Sequence, residues 1–177
     1  MSKFTKKVSE IMGLSEKTDP KSELKNMMEI MTPLMRILQV MMIGGLFFYA
    51  ADIIISAVQS DFEEMYGSIF LTIDCAAFAV ICTIGCGIIK LFKASETPFV
   101  SGVPKRLRAM AFITMGAFLV SAGVKLVFKA VTGAVPQDGY TGYFANPYGM
   151  IFVTLLIMLS YIFDIGCKLQ RESDETI

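Results

Sequence analysis

The sequence contains no histidine. That absence removes the commonest metal ligand and the commonest general base at neutral pH. No glycine-rich phosphate loop, nucleophile motif or conventional metal-ligand set occurs either. The chain reads as non-enzymatic, with no catalytic residue, no metal site and no cofactor. Charge is also scarce. Only 18% of the 177 residues are charged, and 16 basic side chains balance 16 acidic ones. With a net charge near zero, total charge says nothing about partners; direct nucleic-acid binding is not expected.

A cleavable signal peptide is not expected. The first thirty or so residues are polar, with Lys3, Lys6 and Lys7, and lack a short apolar core before a small-residue cleavage site. The first apolar block then acts as signal and anchor together. Four cysteines occur, Cys75, Cys82, Cys86 and Cys167, none in an expected outside loop. An exported disulfide framework is therefore not expected. Cys75, Cys82 and Cys86 share one helix face, but three thiols on one helix cannot surround a soft metal alone. Cysteine and the many methionines read as adaptable packing.

Apolar residues, by contrast, make up 54% of the chain, and the mean hydropathy is +0.60. They fall into four blocks, roughly 34–58, 68–92, 108–130 and 149–167. Each is near the ~20 residues that a helix needs to cross the hydrocarbon layer. Backbone groups in lipid must be satisfied within the segment, so these blocks are helices despite β-branched runs such as Ile53, Ile54 and Ile55. The expected fold is all-α: a polytopic four-transmembrane-helix bundle over 34–167. A segment of short amphipathic helices (1–33) precedes it and a tail (168–177) follows.

Residues 2–13 place Phe4, Val8, Ile11 and Met12 on one face and lysines on others, a pattern suited to an anionic membrane surface. A second helix starts with Asp19 as N-cap, Pro20 at the first position and Glu23 in the first turn. Leu24, Met27, Met28 and Met31 give it an apolar stripe. Thr32-Pro33 is expected to break or kink it before the membrane.

Loop charge gives the orientation. Lys90, Lys93, Lys105, Arg106 and Arg108 flank the second link, whereas the first carries Asp61, Glu63 and Glu64 and no basic residue. The positive-inside rule then puts both termini and the 93–107 loop in the cytoplasm. The last outer loop, 131–148, is rich in glycine, proline and tyrosine, which suits an interfacial aromatic belt. A ligand site there is an alternative.

The charges inside the spans are the most informative. Asp52, Asp74 and Lys125 lie at similar depth in the outer half, each on a face with small or polar residues. A charge at the helix centre costs roughly 2.5–3.5 kcal/mol, and pairing inside the bundle reduces that cost. Asp52 and Asp74 are therefore expected to flank Lys125. The group reads as an ion pair fixing helix register, as a cation- or proton-sensing site, or as part of a transport path. A second polar set, Arg36, Lys90 and Asp164, lies at the inner ends, where snorkelling accounts for the basic members.

Two inner segments look alike to a known family. One is Glu96-Thr97-Pro98-Phe99 with Lys105-Arg106-Leu107-Arg108. The other is Tyr161-Ile162-Phe163, Gly166-Cys167, Leu169-Gln170 and the tail from Glu172 to Ile177. Together they resemble a bacterial family of small four-span membrane proteins known as domain of unknown function 2975, over roughly residues 34–177. The N-terminal extension is longer than is usual there. The resemblance implies a gene neighbour that is a very small helix-turn-helix DNA-binding protein, and hence a regulatory or scaffold partner for it.

The expected docking face comprises Lys93, Lys105, Arg106 and Arg108 with Glu172, Asp174 and Glu175. An acidic tail can occupy the basic surface of such a regulator. The plainer alternative is a solvated helix with Lys168–Glu172 and Arg171–Glu175 pairs. A small transporter, channel subunit or ion sensor working through Asp52, Asp74 and Lys125 is the competing expectation. Small-residue faces around Gly44-Gly45, Gly85, Gly87 and Gly116 also allow a homo-oligomer.

Overall fold

The computed structural model describes residues 20–95, 99–133 and 147–175. The expectations for the 2–13 helix, the Asp19 cap and the 134–146 loop fall outside these residues. The described residues form four helices: α1 (Pro20–Gln59), α2 (Phe62–Ala94), α3 (Gly102–Thr132) and α4 (Pro147–Glu175). Each contains a stretch long and apolar enough to cross a membrane. The protein is an all-α, multi-pass membrane protein built as a four-helix bundle. Its outer surface fits that solvent. Ile30, Ile37, Val40, Phe47, Phe48, Ile54 and Val58 of α1 all face outward, an apolar patch far larger than water tolerates.

The helices outrun the apolar blocks. At 1.5 Å per residue, the 40 residues of α1 reach about 60 Å, twice the hydrocarbon thickness. Of the break or kink expected at Thr32-Pro33, a break does not occur: residues 20–33 and the first span are one helix. Pro33 lacks an N–H and deprives the Glu29 carbonyl of its helical donor. Local side-chain bonds accompany this defect. The Thr32 hydroxyl donates to the Met28 carbonyl at 2.7 Å, and the Lys93 ammonium donates to Thr32 at 3.0 Å.

The first link is also shorter than expected. Glu63 and Glu64, expected in the first outer loop, lie in the first turn of α2. Asp61 caps that helix by accepting the Glu64 N–H at 3.1 Å. On the other side, Ser60 adopts φ 60°, and the N–H groups of Ser60 and Asp61 bond back to the carbonyls of Ala57 and Ser56. This is a Schellman closure followed directly by an N-cap, and it folds α1 back along α2. At the far end of α3, Gly133 at φ 75° ends the helix with its N–H on the Lys129 carbonyl.

Packing is serial: α1 lies on α2, α2 on α3 and α3 on α4. The α1–α2 register is legible from its contacts. Asp52 meets Ser68, Gly45 faces Cys75, Gln39 meets Thr83 and Met35 covers Gly85. The α2–α3 seam is an apolar stripe of Ala77 and Ile81 against Val103, Leu107, Met110, Ala111 and Ala117. It closes at one end with Tyr66, Phe70 and Phe128, whose rings stand 4.6–4.8 Å apart.

At the other end the α2–α3 link is anchored to α4. Phe99 lies 5.9 Å from the Phe163 ring and directly over Gly166, where a Cβ would overlap it. Phe92 of α2 approaches Phe163 from another side at 6.0 Å. Gly166→Ala should therefore displace Phe99 and cost roughly 1–3 kcal/mol, the usual cost of overpacking. Thermal unfolding in detergent, with proteolysis of the 95–101 link as a second readout, checks this. An unchanged melting point with an equally protected link would contradict the anchor.

Candidate functional site

Two polar assemblies interrupt the apolar seams. The first lies toward the Ser60 turn. Asp52 of α1 accepts a hydrogen bond from the Ser68 hydroxyl of α2. Asp74 is only 4% exposed and sits on the core stripe of α2, in line with Phe70, Ala77 and Ile81. Gly87 against Arg106, Phe70 against Lys125 and Tyr66 against Phe128 fix the antiparallel register of α2 and α3. That register puts Asp74 level with Ser121, which is fully buried. The hydroxyls of Ser121, Ser56 and Tyr66 are enclosed and take no bond among the described residues.

Lys125 lies against an aromatic ring. Its ammonium stands 5.8 Å from the centroid of the Phe70 ring, a cation–π contact. Asp52 bonds Ser68 instead, so Asp52 and Lys125 take separate partners. The depths also differ. Along α2, the level of Ser68 and that of Asp74 are about 9 Å apart, and Lys125 at Phe70 lies between them. Cys75 leaves this layer altogether, since its sulfur faces Gly45 of α1.

The second assembly joins α3 to α4 near the basic link. Arg108, expected on an open inner face, is half-buried between the helices. Its Nη2 pairs with Asp164, and its Nε donates to the Ser160 hydroxyl at 2.9 Å. Ser160, fully buried, donates in turn to the Pro104 carbonyl at 3.2 Å. The Tyr161 ring lies 5.6 Å from the guanidinium carbon. Asp164, grouped with Arg36 and Lys90 by depth alone, is thus the counter-ion of Arg108, whereas Arg36 and Lys90 are exposed. One signal in the sequence pointed here. Tyr161, Ser160 and Asp164 share a helical face at spacings of three and four, and so do Arg108 and Pro104.

The remaining members of the expected docking face are spread out. Lys105 is exposed, Arg106 is half-buried over Gly87, and Lys93 bonds Thr32. Glu172, Asp174 and Glu175 are all exposed on the last turns of α4. The Arg171–Glu175 pair forms at 2.9 Å, as a solvated helix would have it.

A cleft of 190 Å³ opens beside the second assembly, between Phe112 and Met115 of α3 and Val153, Ile157 and Tyr161 of α4. Arg108 supplies its charged end.

Removing one member of the Arg108–Asp164 pair leaves the other charged in a low-dielectric seam. Arg108→Met or Asp164→Leu alone should lower stability by roughly 1–3 kcal/mol, and the double variant should recover part of that loss. A double-mutant cycle on melting temperature measures the coupling. Strictly additive losses would show that the pair carries no interhelical energy.

No family model matches the chain, and neither a curated protein nor a solved structure matches it.

Proposed function

We propose that this protein is a non-enzymatic protein of the bacterial cell membrane, with both termini in the cytoplasm. Its inner face would hold a small helix-turn-helix transcription regulator. The observation that carries this reading is the continuation of α4 as one helix to Glu175. The helix leaves the apolar stretch as a charged projection bearing Glu172, Asp174 and Glu175 on its surface. The contacts of Phe99 with Phe163 and Gly166 steady the base of that projection. A DNA-binding regulator has a basic surface, and an acidic projection competes with DNA for it. The Arg171–Glu175 pair does not stand in the way, because exposed pairs of this kind are worth about 0–1 kcal/mol.

The orientation rests on charge. Lys93, Lys105 and Arg106 cluster at one end of the bundle, and Asp61, Glu63 and Glu64 at the other. The regulator itself is suggested by the resemblance of the 96–108 and 161–177 segments to the four-span family. These two segments meet in space, through Phe99 on Phe163 and Arg108 on Asp164.

A second reading, an ion sensor or small transporter, is favoured by the burial of Asp74 level with Ser121. Asp74→Asn would then abolish ion-dependent behaviour and leave partner capture intact.

The regulator reading is tested by a crosslinked pull-down from native membranes, with mass spectrometry of what co-purifies. The intact chain should recover a small DNA-binding protein. A chain lacking 168–177, or carrying lysine at Glu172, Asp174 and Glu175, should lose it. The same recovered proteins from all three would refute the docking role of α4.

A further inference from the structure

The α3–α4 cleft has the makings of a ligand site that neither proposed reading uses. Its floor is apolar, formed by Phe112, Met115, Val153 and Ile157. Arg108 and Tyr161 form its polar mouth. Along α3 it runs from Arg108 to Met115, about 10 Å, so it takes part of an extended chain rather than a compact solute. Phe112, Met115, Ile157 and Tyr161 are exposed on the outer surface of the bundle, which in a membrane protein opens the groove to lipid.

The mouth has capacity and charge left over. A guanidinium carries five N–H donors. Nε is used on Ser160 and Nη2 on Asp164, and Nη1 takes no bond among the described residues. Lys105 lies one turn before Arg108, and Lys168 one turn beyond Asp164, and both are exposed. Counted along the two helices, Lys105, Arg108 and Lys168 all lie within about one turn of the Arg108–Asp164 pair. The pairing with Asp164 and the bond to Ser160 also fix the guanidinium plane, so that a ligand oxygen meets an oriented donor.

We propose that this cleft binds one phospholipid with an anionic headgroup. The phosphodiester would lie at Arg108 between Lys105 and Lys168, and part of an acyl chain along Phe112, Met115 and Ile157. Basic pockets between membrane helices hold anionic headgroups in this way. The apolar floor has nothing to offer a free phosphate, and the surplus positive charge separates anionic from zwitterionic lipid. The inference depends on the chain spanning a bilayer and not on the regulator reading.

Native mass spectrometry of the delipidated protein in detergent tests it. Phosphatidylglycerol and phosphatidylcholine with identical acyl chains are titrated in turn, and inorganic phosphate is added as competitor. The intact protein should bind phosphatidylglycerol about tenfold more tightly. Ile157→Trp, which fills the groove, should weaken both lipids. Lys105→Gln with Lys168→Gln, two exposed changes that leave the fold alone, should remove only the preference. Equal affinity for both lipids would overturn the proposal, as would a preference untouched by either variant. Displacement of phosphatidylglycerol by phosphate alone would assign a free-anion site and overturn it too.

Discussion

Hydrocarbon forms no hydrogen bonds, so a polar side chain in a membrane span must find its partner inside the protein. The architecture described above follows from that constraint. Apolar side chains gain no hydrophobic driving force by leaving lipid for a helix seam, so close packing and polar contacts together hold the helices. The α2–α3 seam is packed apolar, and polar side chains mark the other two. Asp52 reaches Ser68 across α1 and α2, Gln39 reaches Thr83 along the same seam at 2.9 Å, and Arg108 reaches Asp164 and Ser160 across α3 and α4. Small residues let these seams close. Gly45 and Gly85 admit Cys75 and Met35, and Gly87 admits Arg106.

The chain's layout was plain in its hydropathy. Four apolar blocks correspond to the four described helices. Helix ends were harder to place because two signals competed. The acids at 61–64 were assigned to a loop by topology, although Asp61 and Glu64 have the spacing of a capping box. Thr32-Pro33 reads as a break or kink before the membrane. In α1 the helix runs on, with the Thr32 hydroxyl bonded one turn back. Site residues were legible only as a class. Charge marked Asp52, Asp74 and Lys125 within the spans and Asp164 at an inner end, while Arg108 was read with the basic link, and one-dimensional depth cannot tell which face each occupies. Pairing Arg108 with Asp164 requires knowing that α3 and α4 adjoin, and hydropathy does not carry that information.

The two polar assemblies divide the molecule. The first, toward the Ser60 turn, lies among α1, α2 and α3, with Asp74 and Ser121 buried at one level beside the aromatic cluster of Tyr66, Phe70 and Phe128. Such a layer fixes register whatever else it does. The second, near the basic link, is half open. It links a membrane-facing groove, the α2–α3 link and the root of the charged helix end within a few turns of α4. A change at any of the three has a short mechanical path to the others, through Phe99 on Gly166 and Arg108 on Asp164.

All of this depends on the chain crossing the bilayer in the orientation proposed. The most direct measurement is site-directed labelling in intact cells, with the native cysteines replaced. One variant carries Gln59→Cys at the α1–α2 turn and another Ser173→Cys near the end of α4, and a membrane-impermeant maleimide is the probe. The account predicts that position 59 labels from outside, and that position 173 labels only after the membrane is opened. Labelling of both positions from the same side would contradict the four-span topology, and with it the assignment of an inner face.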